Sequence, residues 1–299
     1  MPEYRDLIDN PRSERIRHLA DLKERCQRLK YGRFLIEGPQ SVREAVRYRP
    51  ELLLDLYVAV SAGQGIEPTS PAVAQIRNQA LAQAPQAYVH YVSERTMQAI
   101  SKDAQGIAAV GRLEDMSVNP AQILPLEEPS GQQRSARGGL AALWQVRDPG
   151  NAGTIIRTAD AAGCAGVVLV DECVDPFNPK VLRATAGSIF HIPVIQLSTQ
   201  AFFSFCQERR LPVVAADVYG SPQRPPQSLP DFVAALEPQS PPPAVLFGNE
   251  ARGLPVQVLN QTSAAVSIPI YGQAESLNLA TSAAVLLYAL AMSSRLGRM

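Results

Sequence analysis

Two short β-type runs near the C-terminus constrain the fold of this 299-residue chain most strongly. Ala244–Phe247 and Ala265–Ile270 each end in a loop rich in glycine and polar residues rather than in a tight turn. The second loop leads into an apolar helix, predicted over Leu277–Ser293, and Ser276 and Asn278 are both suitable N-cap residues. Because open α/β sheets bind ligands at the carboxyl ends of their strands, these two loops are the first candidates for a functional site.

The stretch before these runs predicts a parallel sheet. Leu140–Val146 has the composition of a strand, Asp148–Thr154 that of a glycine-rich loop, Ile155–Ala162 that of a helix and Gly166–Val170 that of a buried strand. A strand, a helix and a second strand in this order form a βαβ unit, whose two strands run parallel. Residues 139–299 are therefore predicted to form one α/β domain.

The first 115 residues also alternate between predicted strands and helices. Residues 11–30 carry apolar side chains at helical spacing with basic side chains between them, which predicts one amphipathic helix. A polar segment rich in proline and glycine at 116–138 is predicted to be a linker, so 1–115 is predicted to be a separate α/β domain. The further predicted elements are Phe34–Gly38, Pro39–Tyr48, Leu53–Ala59, Pro71–Gln83, Tyr88–Val92, Glu94–Ile100 and Ile107–Arg112.

The formal net charge of the chain at pH 7 is zero, but the charged residues are unevenly distributed along it. The first 50 residues carry twelve Lys or Arg against eight Asp or Glu. This local excess is consistent with nucleic-acid contact and equally with a solvated basic face, and the pattern alone does not decide between the two.

Composition and cysteine spacing exclude several classes of protein. The chain has no apolar run long enough to span a bilayer, and its N-terminus lacks the basic-then-apolar pattern of a signal peptide. Its four cysteines show no C-x-x-C spacing, so neither a disulfide framework nor a zinc site is predicted, and all four are expected to be buried free thiols. These features predict a cytoplasmic protein with no metal and no membrane association.

Two charged residues of the candidate region are ambiguous from the pattern alone. There is no G-x-G-x-x-G and no G-x-x-x-x-G-K, so nucleotide-phosphate binding of the usual kind is disfavoured. Arg157 is predicted in an otherwise apolar helix, where a charged group is either paired with a carboxylate or directed into a cleft. Glu250 lies in a loop flanked by glycines, where a structural and a functional role are again both open.

Three motifs, in order, resemble those of one enzyme family. They are Asp148–Ala159 (DPGNAGTIIRTA), Phe247–Leu254 (FGNEARGL) and Ile268–Leu279 (IPIYGQAESLNL). In order and spacing they resemble the motifs of the SpoU (TrmH-type) RNA ribose methyltransferases of the SPOUT superfamily, and Asn178–Pro193 resembles the segment between the first two. Residues 11–112 more weakly resemble the small α/β substrate-binding domain of some members, which is similar to certain ribosomal RNA-binding proteins.

The resemblance implies a fold, an activity and a set of site residues. The fold is a parallel α/β sheet whose C-terminal segment is threaded into a trefoil knot, a rare exception among protein chains. The activity is methyl transfer from S-adenosylmethionine to a ribose 2′-hydroxyl in RNA, carried out by a homodimer. Cofactor binding is assigned to Leu246, Gly248, Ile268 and Leu277. The reactive end is assigned to Asn151, Arg157, Glu250, Ser276 and Asn278.

These residue types suit the implied chemistry. A sulfonium carries an activated methyl group, so the remaining need is to align the attacking oxygen and to help with its proton. A 2′-hydroxyl is a very weak acid, and its developing alkoxide needs a cation or hydrogen-bond donors nearby. Because a guanidinium stays protonated, Arg157 is predicted to orient the hydroxyl and stabilise the alkoxide. Substrate phosphate, Glu250 or water is then left to take the proton.

The predicted substrate is large-subunit ribosomal RNA. Structured RNA would be held mainly by its shape and phosphates, with contacts from Arg15, Arg25, Arg28, Lys30 and Arg33. A transfer-RNA ribose is the alternative within the same class. The rival from a different class is a catalytically silent RNA-binding protein, such as a ribosome-assembly factor, and the intact motif residues argue against it.

Overall fold

The computed structural model describes residues 3–61, 66–124, 138–237 and 240–294. Two compact units are present: unit 1 comprises Met1–Ser117 with Phe177–His191, and unit 2 comprises Val118–Pro176 with Ile192–Met299. Most of the predicted linker, residues 125–137, lies outside the described residues. No local sequence pattern indicates that residues 177–191 associate with unit 1.

Unit 1 is built on a five-stranded mixed sheet. Its strands are β1 (Glu3–Ile8), β2 (Arg33–Glu37), β3 (Leu53–Val60), β4 (Tyr88–Ser93) and β5 (Ile107–Arg112). They are arranged in the order β1–β4–β3–β5–β2. Strands β1, β4 and β3 run parallel, whereas β5 pairs antiparallel with both β3 and β2. Strand β1 was not predicted, because it is a partly exposed edge strand without a regular apolar alternation.

Helices α1 (Glu14–Asp21), α2 (Arg25–Tyr31), α3 (Gly38–Tyr48), α4 (Pro71–Gln83) and α5 (Glu94–Ile100) complete the N-terminal part of unit 1. The single helix predicted over residues 11–30 is wrong, because the chain turns between α1 and α2. Arg28 explains the turn: its guanidinium donates to the carbonyls of Leu22 at 2.8 Å and Lys23 at 2.6 Å, just after α1 ends. These carbonyls, which a continuous helix would have used, are satisfied by a side chain instead.

Unit 2 contains a parallel sheet, as predicted, and this sheet has seven strands. Its strands are β6 (Gly138–Trp144), β7 (Cys164–Val170), β8 (Val194–Leu197), β9 (Val213–Ala216), β10 (Pro226–Ser228), β11 (Ala244–Phe247) and β12 (Ala264–Ser267). Their order is β10–β12–β9–β11–β6–β7–β8, and every pair is parallel. Near-continuous apolar strands such as β11 are buried along their whole length, which is usual for a parallel sheet covered on both faces.

The strand order reverses its direction between β6 and β11. Strands β6 and β11 are neighbours, but the chain leaves β6 toward β7 on one side and leaves β11 toward β12 on the other. A reversal of this kind is where open α/β sheets bind ligands, outside the carboxyl ends of the strands. The loops that follow β6 and β11 are therefore adjacent, and both carry residues predicted to be functional.

The helices of the C-terminal half are α6 (Pro149–Ala161), α7 (Pro179–Ala184), α8 (Thr199–Glu208), α9 (Leu229–Ala234), α10 (Val256–Leu259) and α11 (Leu279–Ser293). The prediction of a loop over Asp148–Thr154 is wrong, since α6 already begins at Pro149. Asp148 is its N-cap and accepts a hydrogen bond from the backbone N–H of Asn151 at 2.7 Å. Pro149 occupies the first helical position, where its missing N–H costs nothing.

Residues 177–191, which include α7, belong to unit 1 through specific side-chain contacts. Arg183 Nη1 lies 2.6 Å from Glu37 Oε2 and 3.0 Å from Asp103 Oδ2. The Phe177 ring packs against Phe34 with 4.9 Å between ring centroids. Because Glu37 is largely buried, its pairing with Arg183 compensates a carboxylate that burial would otherwise destabilise.

No helix in the described part of the chain is both long enough and apolar enough to cross a membrane. The four cysteines are thiols rather than disulfides, but only Cys206 is buried; Cys26 is exposed, and Cys164 and Cys173 are half-buried. The expectation that all four are buried is therefore wrong. Burial raises the pKa of Cys206 to about 12, so this thiol stays protonated at neutral pH.

Candidate active site

Glu250 is the centre of a hydrogen-bonded junction between two loops of unit 2. Its Oε1 accepts from the backbone N–H of Asp148 at 3.0 Å and from the Asn151 side-chain amide at 3.3 Å. Its Oε2 accepts from the backbone N–H of Arg147 at 3.3 Å and from the Asn249 side-chain amide at 3.5 Å. A carboxylate offers about four lone-pair sites, so this set of donors uses all of them. The carboxylate thereby joins the loop after β6 to the loop after β11.

Asn278 adds the third motif to the same junction. Its side-chain amide donates to Asn151 Oδ1 at 3.0 Å, and Asn151 in turn donates to Glu250. Its Oδ1 accepts from the backbone N–H groups of Ala280 and Thr281, so Asn278, one of the two predicted candidates, is the N-cap, and α11 begins two residues later than predicted. One continuous chain of hydrogen bonds therefore connects the start of α6, the loop after β11 and the start of α11.

The loop after β11 is tightly closed on itself. Asn249 is largely buried; its Oδ1 accepts from the backbone N–H groups of Ala251 and Arg252, and its amide donates to the Gln145 carbonyl at 2.7 Å. A Cβ atom on Gly248 would lie 2.6 Å from the carbonyl carbon of Gly253, so no larger residue fits there. This closure fixes the direction in which Glu250 leaves the loop.

The four predicted cofactor-binding positions lie at the carboxyl edge of the sheet. Leu246 and Gly248 are buried at the end of β11, Ile268 is half-buried just after β12, and Leu277 is exposed immediately before the N-cap of α11. In the described part of the chain, the backbone of residues 268–277 makes no hydrogen bond to any other residue. These free backbone donors and acceptors suit a cofactor that is recognised largely through main-chain groups.

Arg157 and Ser276 are not part of the junction. Both are exposed, and no hydrogen bond or ion pair joins either side chain to another residue within the described ranges. Arg157 lies nearly two turns after Asn151 on α6, about 9 Å along the helix axis at 1.5 Å per residue. The structure thus brings together Asn151, Glu250 and Asn278, and leaves Arg157 and Ser276 free for other contacts.

Three further residues shape the site without having been predicted to do so. Asp148 could have been recognised, because an aspartate directly before a proline is a common helix start. Asn249 lies within the second motif, but the motif alone does not indicate that its side chain holds the loop after β11 closed. Gln145 has a φ of +51° directly after β6, where its carbonyl meets Asn249. Nothing in the sequence signals that conformation, since glutamine rarely adopts it.

Comparison with known proteins identifies the family. The model of the SpoU rRNA methylase family matches residues 140–288, and that of the MRM3-like substrate binding domain matches residues 13–109. The chain is 32% identical over 284 residues to the 23S rRNA (guanosine(2553)-2′-O)-methyltransferase RlmP of Bacillus subtilis (strain 168), covering 94% of this chain and 97% of that relative. The AdoMet-bound rRNA methyltransferase of Sinorhizobium meliloti has a TM-score of 0.73 at 28% identity and covers 98% of both chains.

This chain belongs to the SpoU rRNA methylase family. It is also 33% identical over 141 residues to the 23S rRNA (uridine(2479)-2′-O)-methyltransferase of Streptomyces viridochromogenes, covering 47% of each protein. The predicted family, the predicted class of RNA 2′-O-methyltransferase and the predicted cofactor, S-adenosylmethionine, are confirmed. The junction of Asn151, Glu250 and Asn278 is thus a meeting point of the three SpoU motifs.

The basic residues proposed to contact RNA lie in the part of unit 1 that matches the substrate-binding domain. Arg15, Arg25, Lys30 and Arg33 are exposed, as RNA contact requires. Arg28 is only 2% exposed and is committed to two backbone carbonyls, so its predicted role in RNA binding is wrong. The prediction placed Arg28 on the basic face because it treated residues 11–30 as one unbroken helix.

Proposed function

We propose that this SpoU-family enzyme transfers a methyl group from S-adenosylmethionine to a ribose 2′-hydroxyl of large-subunit ribosomal RNA. The observation that carries the proposal is the junction of the three motifs around Glu250, next to a loop whose backbone groups are free to bind a cofactor. The named relatives act on 23S rRNA, which favours ribosomal over transfer RNA. Intact motif residues favour an enzyme over a silent RNA-binding protein.

Arg157 is assigned to the attacking oxygen. When bound, S-adenosylmethionine supplies the activated methyl group. The exposed guanidinium on α6 is free of intramolecular partners in the described part of the chain, so it can donate to the 2′-oxygen and stabilise its developing negative charge. Its planar set of donors also fixes the direction of that oxygen, which promotes in-line attack. Ser276, exposed in the loop before α11, is the second free donor that the substrate can meet.

Glu250, Asn151 and Asn278 are assigned to positioning. The four donors around the Glu250 carboxylate leave no lone pair for a substrate proton. Of the acceptors considered for the 2′-hydroxyl proton, substrate phosphate or water is therefore favoured over Glu250. Leu246, Gly248, Ile268 and Leu277 are assigned to the cofactor, through the backbone groups at the ends of β11 and β12.

We also propose a homodimer formed through α11. Val285, Tyr288 and Met292 form an exposed apolar stripe along this helix at spacings of three and four residues. An apolar stripe of this kind is stabilised when a second copy covers it. Sedimentation equilibrium tests the assembly, and a monomer at micromolar concentration would contradict it. The trefoil knot and the cytoplasmic location stay predictions from the resemblance and the composition.

The test of the activity is transfer of radiolabelled methyl groups from S-adenosylmethionine to separated ribosomal and transfer RNA. The RNA is taken from a strain that lacks this protein, so that the target is unmodified. Label in large-subunit rRNA, lost with Arg157→Ala, is the expected result. Label in transfer RNA alone would replace the substrate by the in-class alternative. Cofactor binding without label in either RNA, naked or ribosome-assembled, would favour the silent RNA-binding protein.

A further inference from the structure

A row of aromatic rings crosses three strands of the unit 1 sheet. Tyr57 on β3 pairs with His90 on β4, which pairs with Tyr4 on the edge strand β1. The Tyr57 and His90 rings are stacked at 4.8 Å between centroids, and the His90 and Tyr4 rings at 5.3 Å with only 2° between their planes. Tyr88, two residues before His90 on the same face, stacks against Tyr4 at 5.7 Å.

The two ends of this row differ in exposure. Tyr57 and His90 are buried, under the part of the sheet that α1 and α5 cover. Tyr4 is 53% exposed and Tyr88 is 41% exposed, so these two rings present aromatic surface to solvent. Cross-strand aromatic pairs stabilise a sheet, but stability alone does not require that two stacked rings stay half-exposed.

The buried end holds the exposed end in place. His90 Nε2 lies 2.7 Å from Asp55 Oδ1, and the Arg15 guanidinium lies 3.4 Å from His90 Nδ1. Since a guanidinium can only donate, Nδ1 accepts from Arg15 and Nε2–H donates to Asp55. The imidazole ring is therefore fixed on both sides, and the parallel Tyr4 ring is oriented before any ligand binds, which lowers the entropic cost of binding.

Positive charge lies beside the aromatic row. The Arg15 guanidinium, 3.4 Å from His90 Nδ1, lies at the middle of the row, whereas Arg33 begins β2 at the opposite edge of the sheet from Tyr4. Arg15 is exposed, and in the described part of the chain it has no carboxylate partner within ion-pair distance. Aromatic faces for bases next to guanidinium groups for phosphates are the combination by which proteins bind single-stranded nucleic acid.

We propose that Tyr4 and Tyr88 form a stacking platform for unpaired nucleobases of the RNA substrate, with Arg15 contacting an adjoining phosphate. The platform deepens the proposed function and rests on it, because it makes a single-stranded segment of the RNA part of what unit 1 recognises. Duplex RNA does not fit this description, since its bases are stacked on each other and unavailable to tyrosine rings.

The test is fluorescence anisotropy of the full chain with labelled oligoadenylate of about ten nucleotides, a length within the range that small single-strand-binding domains cover. Tyr4→Ala and Tyr88→Ala are each expected to weaken binding about tenfold, because one base–aromatic stack is lost in each. Tyr4→Phe and Tyr88→Phe keep the rings and should stay within about twofold of wild type. Tyr48→Ala is the matched control, because Tyr48 is a 46% exposed tyrosine elsewhere in unit 1.

Two further arms separate stacking from charge. An oligonucleotide of the same length without bases should bind the wild-type chain about as weakly as oligoadenylate binds the double alanine variant. The same sequence in a duplex should bind wild type and variants equally. Wild-type affinity of the double alanine variant for oligoadenylate, or equal binding of the abasic probe by wild type, would overturn the platform.

The outcome is distinguishable from failure of the proposed function. Single-turnover methyl transfer to ribosomal RNA is measured beside oligoadenylate binding, and Tyr48→Ala, which lies outside both the platform and the motif residues, should leave both unchanged. If no RNA is methylated although oligoadenylate binding depends on both rings, the platform stands and the enzymatic proposal fails. If methyl transfer proceeds and the rings do not affect binding, the platform alone fails.

Discussion

The Glu250 carboxylate and the Arg157 guanidinium are both exposed charges of one candidate active site, and the protein holds them differently. Glu250 accepts four hydrogen bonds, two of them from backbone N–H groups of the loop after β6. Arg157 has no intramolecular partner among the described residues. Glu250 therefore holds the loops of the site together, whereas the Arg157 side chain is available to contact substrate. Substitution at Glu250 should change folding and activity together, whereas substitution at Arg157 should change activity alone.

Replacing Arg157 should have the largest effect. Arg157→Ala is expected to lower the single-turnover rate of methyl transfer by about 10²–10³-fold, the usual cost of removing one donor to a developing oxyanion. Its free energy of unfolding should stay within about 0.5 kcal/mol of wild type, because the side chain is exposed and unpaired. Quenched-flow methyl transfer and urea denaturation measure the two quantities.

Two further variants test whether the planar geometry of the Arg157 guanidinium matters and whether any surface change on α6 lowers the rate. Arg157→Lys keeps the charge but loses the planar fork, and should recover only part of the rate. Thr154→Ala, on the same exposed face of α6, is the control for a surface change near the site and should be neutral. A near-full rate in Arg157→Lys would show that the fork geometry is irrelevant. A normal rate in Arg157→Ala would remove this residue from catalysis.

Glu250→Ala should come second in size and should affect both properties. It leaves two backbone N–H groups and two amides without their acceptor, and water can replace only part of that bonding at an exposed site. We expect a loss of about 2 kcal/mol in the free energy of unfolding. The rate of methyl transfer should fall as well, because Asn151 and the start of α6 lose their anchor.

Glu172→Ala is the matched control for that loss. Glu172 is an exposed carboxylate near the same loop. Its Oε2 forms an ion pair with the Arg147 side chain at 3.1 Å. Exposed pairs of this kind contribute about 0–1 kcal/mol. If urea denaturation gave the same loss in free energy of unfolding for Glu172→Ala and Glu250→Ala, the hydrogen bonds from the backbone to Glu250 would add no stability.

The fold could be predicted best where the local apolar pattern and the capping residues indicate the same element. The bounds of α4, α5, β5 and β11 match their predictions, and Ser70 and Ser93 cap the two helices as serine usually does. Strands β1 and β10 were missed, because such short, polar edge strands bury too little apolar surface to show a pattern. The break between α1 and α2 depends on Arg28 folding back onto carbonyls, which local periodicity does not report.

The members of the candidate site could be named from the sequence, but their connections could not. Motif residues identified Asn151, Glu250 and Asn278, whereas the bonds between them join positions about a hundred residues apart in the chain. Those bonds depend on β11 lying beside β6, a consequence of strand order rather than of local pattern. The same topology explains why Glu250 is saturated with donors and therefore unsuited to the proton-acceptor role that its chemistry suggested.

Asn278 gives the smallest expected effect and tests whether the junction has separable functions. Its Oδ1 caps α11, and its amide donates to Asn151. Asn278→Ala removes both and should destabilise the protein by about 1 kcal/mol, the usual cost of losing an N-cap. Asn278→Asp keeps the capping oxygen but places a carboxylate oxygen against Asn151 Oδ1, so it should retain stability while lowering the methyl-transfer rate. Calorimetry and single-turnover assays on both variants provide the comparison. If Asn278→Asp kept the wild-type rate, the bond to Asn151 would contribute nothing to positioning, and the junction would consist of the Glu250 contacts alone.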